Sequence, residues 1–327
     1  MTNKQLKIKA IVTGASGASN DISNFVGDVR VSGAFKESAR TLDFKLLRAD
    51  VDKTLPFFDV DLGSAVTFYE KPVDKDSYIK FFEGVIWSKT IRDNSIDMDI
   101  SCYDKAIYLN KNQAETQVFT KKGAHEVGKK VIEELGLKVG KLAPTGTDDY
   151  NLRDKTGYDA IMEAYEKDSK KTGKIYKLVD IDGKINVFEA GEMVETVLEE
   201  LNEPIAGKLL DTSFKESMDE VVNEVKALED EKKDKKKDAG SDGASQERYG
   251  KLQKVLKGDS SELAGLMQGA KKEVDVKCIG DWSMVSGKSI MLKSSIISGK
   301  FYIESDSHSL NDAVHTVDMK LVSKLGG

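Results

Sequence analysis

From Asn24 to about Glu115, apolar and polar positions alternate in one short run after another. Asp28–Ser32 reads DVRVS, Thr41–Leu47 reads TLDFKLL and Ala65–Tyr69 reads AVTFY, with further runs over Tyr78–Trp87 and Ile96–Cys102. A period of two puts every second side chain on one face, as half-buried strands require, so this stretch predicts an antiparallel barrel or sandwich. Pro56 and Pro72 fall between the runs, where a missing amide hydrogen breaks no ladder.

The period then changes. Ala124, Val127, Val131, Ile132 and Leu135 recur at helical spacing, and Gly136 can take the left-handed position that ends a helix. A second helix is predicted over about Thr156–Lys171, with Tyr158, Ile161, Ala164 and Tyr165 on one stripe and Gly173 as its stop. Lys174–Glu189 reads as two short strands around Asp182-Gly183, a two-residue hairpin signal. Past Pro204, Val221–Leu228 reads as a helix or a strand and runs into EDEKKDKKKDAGSDGASQE, Glu229–Glu247, which reads as a flexible surface loop. Helical stretches are expected over Arg248–Lys257 and Ser261–Lys271, and strand patterning resumes from Val274 to Leu325. The predicted organisation is a first β-barrel domain over residues 1–115, an α+β insert over 116–200, and a second β-barrel domain over 201–327 interrupted at about 216–273. The fold class is α+β, mainly β.

One internal comparison bears on that organisation. Gly63-Ser64-Ala65-Val66, Lys80-Phe81-Phe82 and Ile96–Ile100 have counterparts in Gly287-Lys288-Ser289-Ile290, Lys300-Phe301-Tyr302 and Val317–Leu321, at offsets of 224, 220 and 221. Either the two β regions are copies of one barrel, or alternating strands have matched by chance.

At 327 residues the chain is long enough for two or three domains with their own cores. Fifty Lys and Arg against 56 Asp and Glu leave a net charge of -6, so no basic field draws the protein onto nucleic acid or anionic lipid. The lysines at 232–237 are nearly cancelled by interleaved acids and have no aromatic among them. Met1–Gly14 lacks the apolar run of a signal sequence, and no stretch approaches the roughly 20 apolar residues of a spanning helix. Synthesis in the cytoplasm is the expectation. Cys102 and Cys278 have no CxxC spacing and read as free and buried.

Several motifs tempt and fail. Ala10–Ser19, AIVTGASGAS, resembles a dinucleotide-binding turn, but after Gly14 and Gly17 come Ala18 and Asn20, and a strand follows instead of a helix. Ser286-Gly287-Lys288-Ser289 suggests a phosphate loop, yet its partner glycine, Gly280, lies too far away. Asp180-Ile181-Asp182-Gly183 suggests a calcium loop, but Lys184 and Gly191 stand where ligands are needed. His125, His308 and His315 lack metal-ligand spacing and read as surface or capping residues. Asp148-Asp149 reads as a loop pair. Phe57-Phe58, Phe81-Phe82, Trp87 and Trp282 read as core or interface anchors. No catalytic, cofactor or metal residue is assigned, no cofactor is expected, and no interface residue is assigned.

The order of pieces along the chain resembles a family. Asn20–Leu47, Tyr103-Asp104-Lys105-Ala106 with Tyr108–Asn112, Gly136–Gly140, Arg248–Gln253, Gly299–Ile303 through His308, and His315–Met319 are together similar to the XkdQ/YqbQ-like baseplate hub proteins of contractile phage tails and R-type bacteriocins. The Lys-rich stretch Glu229–Glu247 departs from that pattern. The resemblance implies a fold related to late control protein D and the hub part of VgrG, with two tail-tube-like barrels per chain. It implies a homotrimer that joins a sixfold tail tube to a threefold central spike, contacts with other baseplate proteins, and a place in the baseplate of a phage or phage-tail-like particle. No enzymatic activity, nucleic-acid binding or membrane binding is expected. A tail-associated receptor- or carbohydrate-binding protein and a peptidoglycan hydrolase are the alternatives.

Overall fold

The predicted strands of the first hundred residues all form, because each can bury alternate side chains. In the computed structural model, which describes residues 6–15, 17–71, 77–230, 235–257, 263–311 and 314–325, they are β3 (Val26–Ala34), β4 (Thr41–Leu47), β5 (Ala65–Lys71), β6 (Ile79–Ile91) and β7 (Asp97–Tyr103), and two strands that the pattern did not announce, β1 (Lys7–Thr13) and β2 (Ser19–Asp21), precede them. In β4, Leu42, Phe44 and Leu46 point inward between Asp43 and Lys45. They meet Val12, Phe68, Phe82 and Ile100 in one core. The rings of Phe44 and Phe68 lie 5.1 Å apart, tilted at 53°. Strand β1 pairs with β5 and with β2, and the strands run β3-β4-β7-β6-β5-β1. A single 3-10 turn at Ser23–Phe25 carries the chain from β2 into β3.

The insert follows as α1 (Ile107–Lys111), β8 (Val118–Gly123), α2 (Ala124–Glu134), β9 (Lys138–Leu142), β10 (Thr147–Asn151), α3 (Gly157–Thr172), β11 (Tyr176–Ile181) and β12 (Lys184–Glu189). Helix α2 buries Ala124, Val127, Val131 and Ile132, and α3 buries Ile161, Ala164 and Tyr165 together with Ala160, while Leu135 and Tyr158 of the predicted stripes are half-buried. The Thr156 hydroxyl accepts the Asp159 N–H at 3.1 Å to start α3, and Gly173 at φ 74° ends it. Asp182 and Gly183, at φ 53° and 72°, make the tight turn between β11 and β12. Asp148 and Asp149 correct the expected loop: they lie in β10, which pairs with β8.

The chain then re-enters the barrel sheet as β13 (Met193–Glu199) and β14 (Leu209–Ser217). Next come β15 (Glu224–Asp230), β16 (Lys235–Ser241), α4 (Gly243–Tyr249) and β17 (Gln253–Leu256), then β18 (Lys271–Ile279), β19 (Ser289–Lys293), β20 (Ser298–Asn311) and β21 (Val314–Val322). Two compact units result, one reaching to Thr212 and resuming at Asp275, the other Ser213–Val274.

The smaller unit corrects two expectations. The charged tract is not a loop over its described part: Lys235–Ser241 pairs antiparallel with β15, and Asp242 caps α4 by accepting the Ser245 N–H at 3.1 Å. Pairing uses main-chain groups, so charged side chains can remain outside while Val225 and Ala227 go into a core with Val222 and Leu263. Nor is Arg248–Lys257 helical beyond Tyr249. Gly250 at φ 78° stops α4, and Gln253–Leu256 pairs parallel with β15. Of the second expected helix, Ser261–Lys271, the described part holds a 3-10 turn at Ala264–Leu266 and the first residue of β18. Pro72, Lys232, Lys233 and the stretch 258–262 lie outside the described residues.

Among the described residues, thirteen strands form one continuous sheet, in which β14-β18-β21-β20 is followed by β3-β4-β7-β6. The two runs repeat in detail. Strand β6 gives its first half to β5 and its second to β7, turning at Val85, which opposes both Ala65 and Tyr103. Strand β20 divides its length between β19 and β21 in the same way, turning at Tyr302, which opposes both Ser289 and Val322. Each has a register shift directly after the turn, between Ile86 and Ser88 and between Ile303 and Ser305. At the first corner the Gly63 N–H donates to the Ile86 carbonyl and the Ile86 N–H to Ser64, both at 2.9 Å. At the second, Gly287, Ile303 and Lys288 repeat these bonds at 2.9 Å. The offset of 224 between Gly63 and Gly287 therefore marks equivalent positions. The Lys80/Lys300 match slips by three residues, because the counterpart of Tyr302 is Val85 and not Phe82. The bulge, and not the Lys-aromatic triplet, fixes the true register.

Candidate functional site

The second half of β20 pairs with β3, Ser305 opposite Ala34 through Leu310 opposite Val29. A set of buried polar side chains collects at this joint. Arg40, at the end of the β3–β4 turn, donates from Nη1 to Asp306 Oδ1 at 3.1 Å and from Nη2 to the other carboxylate oxygen. Burial alone would raise the Asp306 carboxyl, but Arg40 and His308 overcome it and hold the group well below the usual carboxylate range. Asp306 also accepts the Ser286 N–H at 2.6 Å.

His308 and His315 correct the surface reading: both are buried and their ring nitrogens Nδ1 and Nε2 face each other at 2.9 Å across the β20–β21 hairpin. Their separation of seven residues puts them at diagonal positions of the β20–β21 pair, His308 opposite Val317 and His315 opposite Leu310, a signal that strand pairing, and not helical spacing, could have supplied. The Met284 carbonyl accepts from His308 Nε2 at 3.1 Å. Trp282 stacks between Phe81, 4.3 Å away, and His308, 4.6 Å away, while its indole N–H donates to Glu70 at 2.7 Å. Burial first, and the neighbouring His308 second, push the His315 imidazole down to about 3.

Beside the joint lies a cavity of about 360 Å³ lined by Gly33, Arg40, Phe82, Asp104, Lys177 and Trp282 among others. Strand β11 places Lys177 there. Its ammonium donates to the carbonyls of Ala34, Phe35 and Glu37, the last two at 2.9 and 2.8 Å. Burial, with Arg40 adding repulsion, lowers its pKa to about 8. Burial and the nearby Asp180 raise Asp104 to about 7, against the amides of Arg40 and Ala106 that donate to it. Asp180, raised to about 6 by its own burial, accepts the Lys105 N–H at 3.0 Å. The ammonium of Lys177 is committed to three carbonyls and Arg40 to a carboxylate, so these groups fasten the insert, the β3–β4 turn and β20 together instead of presenting reactive atoms. Among the described residues, no group of three or more His, Cys, Asp or Glu could hold a metal ion.

The other sequence candidates lie apart from this joint. Ala10–Ser19 is the β1–β2 hairpin, with Gly17 at φ 80°, and leads into no helix. Gly287, at φ 90°, turns the chain toward β19. His125 accepts the Thr145 N–H at Nδ1, 3.2 Å, in the first turn of α2. Asp148 sits between Lys167 and Lys171, whose hydrogen bonds hold its carboxyl below the usual range. Cys102 and Cys278 are buried free thiols, and burial pushes Cys278 up to about 12. Phe58 packs on Phe25 at 5.1 Å and Trp87 meets Tyr103 edge-on, but Phe57 is 85% exposed at the barrel end. No helix among the described residues is long and apolar enough to cross a membrane.

This architecture has relatives. The chain is 25% identical over 313 residues to the uncharacterized protein YqbQ of Bacillus subtilis (strain 168), covering 90% of this chain and 91% of that one. It is 24% identical to the phage-like element PBSX protein XkdQ of the same organism, covering 90% and 92%. Its fold is similar to that of the 43 kDa tail protein of prophage MuSo2 from Shewanella oneidensis, with a TM-score of 0.69 at 11% identity over 96% of this chain and 98% of that one. Residues 29–322 match the sequence model of the YQBQ-like family, and the chain belongs to that family.

Proposed function

We propose that this protein is a structural baseplate hub of a contractile tail or contractile bacteriocin, in which three copies form a ring that joins a sixfold tail tube to a threefold central spike. The observation that carries the reading is the duplicated run of strands, β14-β18-β21-β20 and β3-β4-β7-β6, within one chain. Three chains with two similar units each present six similar faces toward a sixfold partner, while each chain as a whole keeps threefold symmetry toward the other. The similarity to a protein of a phage-like element and to a prophage tail protein supports a place in a tail particle.

The work of such a hub is geometric. The buried joint of Arg40, Asp306, His308, His315 and Lys177 fixes the angle between the two barrels, and so the spacing of the faces they offer. The proposed partners are two further copies, the tube protein, the spike protein and other baseplate proteins, and no catalytic step is assigned to the chain. The test is the mass of the purified protein by light scattering, with negative-stain images of the same sample. A ring of about three times 36.0 kDa is expected. A compact monomer at tens of micromolar, unchanged by added tube or spike protein, would overturn the reading.

A further inference from the structure

The insert is an arm that joins the rest of the chain at two crossings. It leaves through Asp104-Lys105-Ala106 between β7 and α1, and it returns through Ala190-Gly191 between β12 and β13. On the return, the Gly191 N–H donates to the Gly287 carbonyl at 2.7 Å. On the way out, two carboxylates converge on the crossing. Asp104, from the first barrel, is 5% exposed and accepts the Arg40 and Ala106 N–H groups at 2.9 and 3.0 Å. Asp180, from β11 of the insert, accepts the Lys105 N–H at 3.0 Å. Both line the cavity of about 360 Å³.

The cations around this pair are committed elsewhere. In the β3–β4 turn, Arg40 holds Asp306 of β20. From β6, Lys80 holds Glu83 and Asp182 at 2.8 and 2.7 Å, and at the crossing itself Lys105 reaches Glu83 at 3.4 Å. Lys177 of β11 donates to three carbonyls, and Lys288, just ahead of β19, lies 3.4 Å from Glu192. The remaining charged group on the cavity wall, Glu37 of the β3–β4 turn, is another acid. Each element that faces the pair thus brings an acid or a cation already bound to other groups. Ionising both carboxylates costs free energy, because neither water nor a dedicated counterion offsets the second charge, and the favourable state keeps a proton on one of them.

We propose that this proton latches the insert: while Asp104 or Asp180 carries it the insert stays closed on the first barrel, and when both ionise the insert loosens about its two crossings and water enters the cavity. The direction follows from the closed form binding the proton more tightly than the open one. Asp104 and Asp180 titrate at about 7 and about 6 when closed and near 4 once exposed, so closure is tightest below about pH 4 and weakens as pH rises to about 7. Arg40, Asp306 and Glu83 keep their charges throughout that window. Lys177, lowered to about 8, changes only above it.

Hydrogen exchange on the full-length chain tests the latch in monomer and assembly alike, so the outcome does not depend on the ring reading. Rates at pH 5 and pH 8 are divided by those of the unstructured peptide at each pH. The Arg40, Lys105 and Ala106 N–H groups should open at least about tenfold more often at pH 8, whereas those of β4, in the barrel core, should change less than about threefold. Asp180→Asn keeps an oxygen to accept the Lys105 N–H and removes the charge, so its opening at pH 8 should fall to the level the parent shows at pH 5. If the amides at the crossing exchange alike at both pH values, or only follow β4, the latch is overturned whether or not the variant folds. Full pH dependence surviving in Asp180→Asn puts the proton elsewhere and overturns it as well. A variant that is loose at both pH values shows Asp180 acting as an acceptor alone, which is the third result against the latch.

Discussion

The two repeated runs of strands share a strand order, a bent and bulged long strand and a corner with the same hydrogen bonds, yet their long strands carry opposite chemistry past the bulge. Position for position, Asp306 of β20 corresponds to Lys89 of β6. Asp306 is buried and bound to Arg40, while Lys89 is exposed and reaches Asp61 at 3.0 Å. The backbone permits either side chain. What differs is the neighbouring strand: β3 pairs with β20 past its bulge, whereas among the described residues β6 is paired there by β7 alone. A buried carboxylate must have its own cation, whereas an exposed ammonium needs none. The scaffold is repeated, and the polar groups it carries differ with the strands that flank it.

The sharpest way to break this comparison is to remove the charge at both positions. Asp306→Asn leaves Arg40 buried without its counterion and should cost about 3–5 kcal/mol in urea unfolding. Lys89→Asn should change stability by less than about 0.5 kcal/mol, as exposed surface substitutions do. Equal effects would mean that the two strands are covered alike.

A smaller effect separates the two by pH. The unfolded chain protonates the His315 imidazole near 6.5, as a free histidine does, and the folded chain only at about 3. Between those values the unfolded state holds the extra proton, so stability falls as pH is lowered through the window. Asp104 and Asp180 act in the opposite sense. They protonate at about 7 and about 6 when folded and near 4 when unfolded, so their contribution is lost as pH rises over that range. His315→Gln should therefore flatten the acid limb of a melting-temperature profile between pH 6.5 and 3.

The smallest expected change lies at the first barrel's end. Phe57→Ser should alter the melting temperature by less than about 2 °C, because a side chain 85% exposed has little burial to lose. A large drop would mean that the ring is packed when the protein is alone. Loss of assembly without a drop would instead mark Phe57 as a contact to a partner.

Much of the fold could be read along the chain where burial is one-sided. The alternation of Leu42, Phe44 and Leu46 with Asp43 and Lys45 admits only a strand with one wet face, and the stripe of Val127, Val131 and Ile132 admits only an amphipathic helix. Asp182-Gly183 specified its turn because both residues must take positive φ. Lys235–Ser241 was opaque for the converse reason: its composition signals solvent, but its strand is held by main-chain bonds to β15 that composition does not encode. The Gly63/Gly287 correspondence was visible, whereas the register of β6 against β20 was not, since it depends on a bulge.

The sequence by itself determined the strands between Asp28 and Cys102, the helices around Val127 and Ile161, the Asp182-Gly183 turn and the family resemblance, because period, turn chemistry and the order of segments are local properties. Only the tertiary structure decided that β20 lies against β3, that His308 meets His315, and that Arg40 finds Asp306 across 266 positions of chain. Those outcomes depend on which strand covers which. That choice is settled by main-chain pairing and burial over the whole sheet, and no residue announces it alone.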